Sequence, residues 1–328
     1  MRIDGAPQKN TSFRPVRSAV RSVESREARV TGTPSETVAL TGETGKTPRR
    51  VPLTNLRPSD QHKTGLRGAL HAIGGAVGVA ASKAMSSLKG PMMTAAWKDL
   101  LVASYEVPAE TLKPYLPDGV ELDSWNGKHY MSLVALHSKD MKGLGVKVPG
   151  GQKFEQVNLR FYVKRDTPEG QKKGVVFIKQ LIPSPTVALA SRYLVNERID
   201  TASMEHKVPE DNANGEVSYQ WNLAGKSSEM SARRVGQAKP LTEGSQEEFL
   251  LENYAGYAVQ RDGKTVEYKV EHPPWKTWQT KDPIIEVDAE GLYGKELAKH
   301  LSGPPSSVVL VDGSSAAVFA PNTIDDMS

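Results

Sequence analysis

The chain has 328 residues, no cysteine and 38% hydrophobic residues, and its net charge of +4 is unevenly spread: residues 1–95 hold 15 Lys and Arg against 6 Asp and Glu, the remainder 27 against 32. Without cysteine there are no disulfides, thiolate nucleophiles, iron–sulfur clusters or cysteine-based zinc sites. The basic excess belongs to a leading arm, so a pI of about 9.0 is no nucleic-acid signature of the body, and no apolar run reaches the 18 or so residues that span a bilayer.

Residues 1–62 read as a disordered basic arm. They are rich in Ser, Thr, Arg, Gly and Pro, with Phe13 the single aromatic, and their isolated valines and alanines cannot offset the cost of ordering the chain. A solvated tail is one reading; an address or docking arm, Arg- and Ser-rich and poor in acids, is the other. The charged start and apolar run of a secretory signal peptide are not expected here. Residues 63–90 read as a weak amphipathic helix and linker. Leu66, Leu70, Ile73, Val77 and Met85 keep helical spacing, but the glycines at 68, 74, 75 and 78 each weaken it by about 1 kcal/mol relative to Ala. Docking on protein, or weak contact of residues 64–88 with a membrane surface, are both open.

The body, 91–328, has a different texture. Leu100–Tyr105 predicts a strand, Ala109–Tyr115 a helix started by Pro108, and Pro117-Asp-Gly a turn. "KHYMSLVALHS" alternates as a strand. In "KFEQVNLRFYVKR", Val157, Leu159, Phe161 and Val163 face one way, and Gln156, Asn158, Arg160 and Tyr162 the other. "KKGVVFIKQLI" is a further strand that places Lys179 beside Val175, Phe177 and Leu181. "TVALASRYLVNER" has helical spacing. "GEVSYQWNLA", "SSEMSARRV", "KTVEYKVEH" and "SSVVLVDGSSAAVFAP" are strands. Residues 245–260 predict a helix with Ser245 as N-cap and Glu248 completing a capping box. About eight strands with two or three helices, and no alternating βαβ units, predict an α+β or barrel-like antiparallel architecture.

Seven stretches, in order, resemble the uncharacterised YqjF-like family, a domain of unknown function in the acetoacetate-decarboxylase-like superfamily. They are "VPAETLKPYLPDGVELDSWNGKHYMSLVAL", "FEQVNLRFYV", "KGVVFIKQL", "ASRYL", "EEFLLENYAGY", "VEHPPW" and "VDGSSAAVFAP", and they cover residues 94–321. The resemblance implies a closed or cone-like antiparallel β-barrel with external helices and a central cavity. It implies no reaction. The decarboxylases use a buried lysine as a Schiff-base nucleophile; here the segment after Arg192 reads Glu197-Arg-Ile-Asp-Thr, without lysine. Gln156, Glu197-Arg198-Ile199 and Lys179-Gln180-Leu181 also depart from the family pattern.

The candidate site residues follow. Lys179, if its face is desolvated, is an amine nucleophile or base; the alternative is an outward amine. Asn158, Arg160 and Arg192, with Gln156 beside them, suit a carboxylate, since a guanidinium grips two oxygens at once; the alternative is structural pairing of the arginines with acids such as Glu155 or Glu252. Pro273 holds His272 extended, following Val266, Tyr268 and Val270 inward, with Trp275 closing one side. That imidazole is either a general acid or base or a satisfied core histidine. The histidines keep no HxH or HExxH spacing, so no metal site is expected. No GxGxxG, Walker or GxSxG motif is found, and no cofactor is expected. The sequence therefore favours a domain binding a small, carboxylate-bearing molecule. Two alternatives stand beside it: an enzyme acting on a small keto or hydroxy acid through Lys179 or His272, and a bacterial effector exported through its unfolded arm. The expected location is cytoplasmic, or outside the cell by a type III-like route under the last alternative.

Overall fold

The computed structural model describes residues 90–324, apart from 149–150, 152, 186, 189–191, 193–195 and 211–212. The arm of residues 1–62 and the helix expected over 63–90 lie outside the described residues, save Gly90.

The strands are β1 (Met93–Val107), β2 (Glu121–Leu122), β3 (His129–Gly143), β4 (Val146–Lys147), β5 (Lys153–Thr167), β6 (Gly170–Ile182), β7 (Ile199–Thr201), β8 (Ser203–Lys207), β9 (Gly215–Leu223), β10 (Lys226–Pro240), β11 (Ala255–Val259), β12 (Thr265–Glu271), β13 (Lys276–Glu286), β14 (Ser307–Val318) and β15 (Asn322–Thr323). The helices are short: α1 (Ala109–Leu112), α2 (Gln246–Leu251), α3 (Ala289–Tyr293) and α4 (Lys295–Leu301). The strands join one sheet in the order β15-β12-β11-β6-β5-β3-β1-β14-β13-β10-β9-β8, with β2 on β5, β4 on β3 and β7 on β6 off this path. β12 also pairs with β14, through Val270 with Val318 and Glu271 with Ala317, so the path from β14 round to β12 returns on itself. Most pairs are antiparallel, as expected. Two are parallel, β6 with β11 and β6 with β7, which corrects a wholly antiparallel reading.

The long strands have two distinct faces because side chains alternate along a strand. One, called here the Leu133 face, carries Leu101 and Ala103 on β1, Met131 and Leu133 on β3, and Leu159, Phe161 and Val163 on β5. It is covered by Val217, Tyr219 and Trp221 of β9, Met230 of β10, and Leu292, Leu297 and Leu301 of α3 and α4. The other, the Val134 face, carries Val102, Val134, Leu136, Tyr162 and Val175, and packs against Phe249, Leu250 and Leu251 of α2 and against Trp275. Both faces of β3 are thus buried, which is why its sequence is a near-continuous apolar run.

Two expectations are corrected. The helix predicted over 245–260 stops at Leu251. Its start is as expected: the Ser245 side chain accepts from Glu248 N, and Glu248 accepts from Gly244 N at 2.7 Å. Residues Ala255–Val259 instead extend as β11 between β6 and β12; pairing with distant strands overrides a local pattern that fits either state. The face assigned to Lys179 is also corrected. β6 bulges at Ile178, so Phe177 stands opposite Arg160 while Lys179 stands opposite Leu159. One extra residue switches the face of everything after it. Lys179 and Leu181 leave the Val175 face, and Gln180 joins it.

β13, β7, β8 and the pair α3–α4 were not expected from the sequence. Of the helix predicted over 186–198, Val187, Ala188 and Arg192 are helical, and Asn196–Arg198 are not. Among the described residues no helix is long and apolar enough to cross a membrane.

Candidate functional site

The Val134 face is not wholly apolar. Ser104, Ser132 and Tyr162 form a buried chain, with Ser104 Oγ 2.7 Å from Ser132 Oγ and Ser132 Oγ 2.6 Å from the Tyr162 hydroxyl. These three satisfy one another. Their neighbours on β5 do not. Asn158 is 2% exposed and its Oδ1 has no partner among the described residues. Arg160, two residues on and therefore on the same face, donates from Nη2 to the Leu250 carbonyl at 3.2 Å, while its buried Nε has no partner. Its guanidinium stands 5.8 Å from the Tyr162 ring centroid.

Beside them runs a second polar chain. Gln156 Nε2 donates to Gln180 Oε1 at 2.5 Å, Gln180 Nε2 donates to Glu197 Oε2, and the Tyr268 hydroxyl donates to Glu197 Oε1 at 2.5 Å. Both carboxylate oxygens of Glu197 are therefore fixed. Burial pushes this carboxyl up to about 7, against the pull of the two donors. The Tyr268 phenol is raised well above its usual range by burial and by the adjoining Glu197, while the Arg160 charge pulls it the other way. Tyr268 reaches Glu197 by lying over Gly256, its partner across β11 and β12. A Cβ at position 256 would stand 2.1–2.4 Å from the Tyr268 ring atoms, so only glycine leaves room for the ring. Trp97, Phe177, Val270 and Val318 pack round Tyr268.

His272 is half-buried between the Tyr254 and Trp275 rings, at 4.7 and 4.3 Å between centroids. Its Nδ1–H donates to the Pro273 carbonyl at 2.9 Å. Burial lowers its pKa and the Arg160 charge adds to this, so the ring is neutral at pH 7. Trp275 is buried in the α2 core, and its backbone N–H donates to Glu252 at 2.9 Å.

The structure thus brings Gln156, Asn158 and Arg160 to one face, with His272 and Trp275 at its border. It does not bring Lys179 or Arg192 there. The Lys179 amine pairs with Asp200 at 2.8 Å and donates to the Leu292 carbonyl at 3.1 Å, on the Leu133 side. Arg192 donates to the Ile199 carbonyl and to Asp200 Oδ1 at 3.3 Å, half in solvent. Glu252 takes the Tyr254 hydroxyl and Trp275 N–H, not an arginine. Sequence reasoning missed Gln180, Glu197 and Gly256 as site residues. Tyr268 was placed on the right face but given no role. Glu197 was noticed as a departure from the family pattern, and that was the available signal.

A second titratable cluster lies across the sheet. His137 is 1% exposed. Its ring stacks on that of His206 at 4.6 Å, and His206 Nδ1 is 2.6 Å from Glu155. The Tyr219 hydroxyl donates to the Asp99 carbonyl at 2.8 Å, and Arg234 pairs with the Asp99 carboxylate at 2.7 Å. Among the described residues no group of three His, Asp or Glu is arranged to hold a metal ion.

Comparison with known proteins bears out the family likeness. The chain is 26% identical over 206 residues to the uncharacterized protein YqjF of Bacillus subtilis (strain 168), covering 61% of this chain and 82% of that one. Its fold is similar to that of the enduracididine biosynthesis enzyme MppR complexed with pyruvate, at a TM-score of 0.54 and 11% identity, over 74% of this chain and 93% of that one. Acetoacetate decarboxylase from Legionella pneumophila subsp. pneumophila str. Philadelphia 1 follows at a TM-score of 0.49 and 13% identity, over 71% and 86%. Residues 94–315 match the model of the uncharacterized conserved protein family DUF2071, and the chain belongs to that family.

Proposed function

We propose that β1, β3, β5, β6, β11, β12 and β14 form a closed barrel whose Val134 face lines a pocket for a small carboxylate-bearing molecule, held by Arg160 and Asn158. One observation carries this reading: Asn158 Oδ1 and Arg160 Nε are both buried, both unpaired and two residues apart on one face. Each unpaired buried group costs about 1–3 kcal/mol, so two of them side by side call for a partner that supplies both a donor and an acceptor. A carboxylate oxygen accepts from Arg160 Nε. An adjacent hydroxyl donates to Asn158 Oδ1, or the amide, turned over, presents Nδ2 to a keto oxygen. The ligand class is therefore a small hydroxy or keto acid. The pyruvate in MppR, a protein of similar fold, supports the same class.

A Schiff-base enzyme working through Lys179 gains no support, because its amine is ion-paired across the sheet. His272 fits a neutral wall of the pocket better than an acid. The exported-effector reading rests on the arm alone, and deleting residues 1–62 while tracking location in the native cell tests it.

Calorimetric titration with pyruvate, lactate and acetoacetate tests the pocket. Wild type is expected to bind at least one saturably. Arg160→Lys is expected to weaken that binding ten- to a hundred-fold, since a charge-assisted hydrogen bond is worth about 1.5–3 kcal/mol. Binding that is absent, or untouched by Arg160→Lys and Arg160→Ala in folded protein, would overturn the reading.

A further inference from the structure

We propose that Glu197, held by Tyr268 and Gln180, is the proton-transfer group of this pocket, and that the pocket exchanges the hydrogens on the carbon beside the carbonyl of a small 2-oxo acid. The inference rests on the reading above and adds to it an activity and a residue.

The argument begins with how Glu197 is held. Its two oxygens take donors from two different strands, the Tyr268 hydroxyl of β12 and Gln180 Nε2 of β6, and Gln156 of β5 fixes Gln180 in turn. No ion pair to Glu197 is found among the described residues. A carboxyl fixed at both oxygens without a cation is poorly explained as structural glue, because a glutamine there could accept from Gln180 and donate to the Tyr268 oxygen without a charge to desolvate. The same setting keeps the group near the balance between acid and base at neutral pH, which proton transfer requires. Asn158 stands opposite Gln180 across β5 and β6, and Gln180 donates to Glu197, so the Asn158 end of the pocket lies beside the carboxyl. Trp97 and Phe177, packed about Tyr268, limit water at the reacting carbon.

The step balances without a co-reactant. Glu197 carboxylate takes a proton from the carbon beside the carbonyl. The C–H pair becomes the enolate double bond, and the carbonyl π pair moves to oxygen, where the Asn158 amide and the Arg160 guanidinium hold the charge. Return of a proton from Glu197 restores the 2-oxo acid. Nothing is oxidised or reduced. In D2O the carboxyl exchanges its proton with solvent between the two halves, and deuterium enters the substrate. Tyr268 and Gln180 act through Glu197 and are positioning residues.

The experiment follows the methyl signal of pyruvate by proton NMR in D2O with full-length protein, and pyruvate binding by calorimetry in parallel. Wild type is expected to wash out the methyl signal at least tenfold faster than buffer. Glu197→Gln is expected to stop the exchange while still binding pyruvate. Glu197→Asp, which keeps a carboxyl on a shorter stem, is expected to retain a reduced rate and covers the case of a misfolded glutamine variant. Tyr268→Phe removes the donor that stabilises the carboxylate, so the pH midpoint of exchange is expected to move up; the groups facing Glu197 there are Gln180 and, beyond Tyr268, Arg160. Wild type that binds pyruvate without exchange above buffer overturns this inference and leaves the binding pocket standing. Exchange undiminished in Glu197→Gln or Glu197→Asp overturns it as well. No pyruvate binding at all overturns this inference, and the binding pocket falls with it only if lactate and acetoacetate also fail to bind.

Discussion

Lowering the pH from 7 to 5 is expected to withdraw the stability that a neutral, buried His137 contributes. This ring sits on β3, boxed in by Asp99 of β1, Glu155 of β5, His206 of β8 and Tyr219 of β9. Burial is the largest cause that lowers its pKa to about 4, with His206, Lys139 and Lys98 adding to the effect and Glu155 opposing it. Asp99 lies 3.7 Å away, but Arg234 already neutralises that carboxylate at 2.7 Å. The folded value is thus below the ordinary 6.5, and the unfolded chain takes up the proton first. Stability is full above pH 6.5, falls as the pH drops, and levels off near pH 4. At about 1.4 kcal/mol per unit, the gap of some two and a half units amounts to roughly 3 kcal/mol. Glu155, whose carboxyl is held below its usual range with His206 beside it, acts in the same direction but only near and below the ordinary carboxylate range. Between pH 7 and 5 the raised Glu197 carboxyl acts the other way and with similar size, so the histidine's share is the difference between wild type and a variant lacking the ring. Urea unfolding of wild type and His137→Gln at several pH values in that window provides the measurement. The glutamine variant is expected to start less stable and to become more stable relative to wild type as the pH falls. Parallel pH profiles for the two proteins would refute the reasoning.

Three other predictions concern the candidate site and its surroundings. Gly256→Ala drives a Cβ into the Tyr268 ring, and is expected to cost about 1–3 kcal/mol in urea unfolding as overpacking and to abolish whatever depends on the Tyr268–Glu197 bond. Asn158→Leu removes a buried unpaired acceptor, so it is expected to stabilise the protein by about 1 kcal/mol while losing carboxylate binding; a lower melting temperature with binding intact would contradict both halves. Lys179→Met breaks a partly exposed ion pair with Asp200, and is expected to cost about 1 kcal/mol or less, to leave ligand affinity unchanged, and to match a wild type in which borohydride with pyruvate adds no mass at Lys179.

Much of the sheet was legible because its rule is local. The alternation of β5, apolar at Val157, Leu159, Phe161 and Val163 and polar between them, needs only the two-residue period of a strand, and it placed Asn158 and Arg160 on one face correctly. The β6 bulge was not legible. Nothing in "GVVFIKQL" marks Ile178 as the extra residue; register against β5 and the cover from α3 decide it. The end of α2 was hidden for a similar reason. Ser245 and Glu248 sign the start of the helix within four residues, whereas its stop depends on β11 finding β6 some 80 positions earlier. The His137 cluster draws on residues 99, 137, 155, 206, 219 and 234, a set that only the folded topology assembles.

On the proposed reading, the bulge also decides which side chains the Val134 face presents. With regular pairing along β6, Lys179 would stand where Gln180 does, an amine next to Arg160 and within reach of a carbonyl. A lysine desolvated beside a guanidinium is the arrangement that lowers an amine pKa for imine formation. The extra residue turns that amine to Asp200 and the Leu292 carbonyl instead. It delivers an amide whose donor end fixes Glu197 and whose acceptor end is fixed by Gln156. A single-residue offset therefore exchanges a nucleophile for an oriented carboxyl. Deleting Ile178 removes the bulge yet leaves Lys179 opposite Leu159 and Gln180 opposite Asn158, so the folded deletion variant is expected to keep exchange through Glu197 and to give no borohydride-trappable pyruvate adduct at the lysine. A folded deletion variant that traps pyruvate at Lys179 would break the link between register and site.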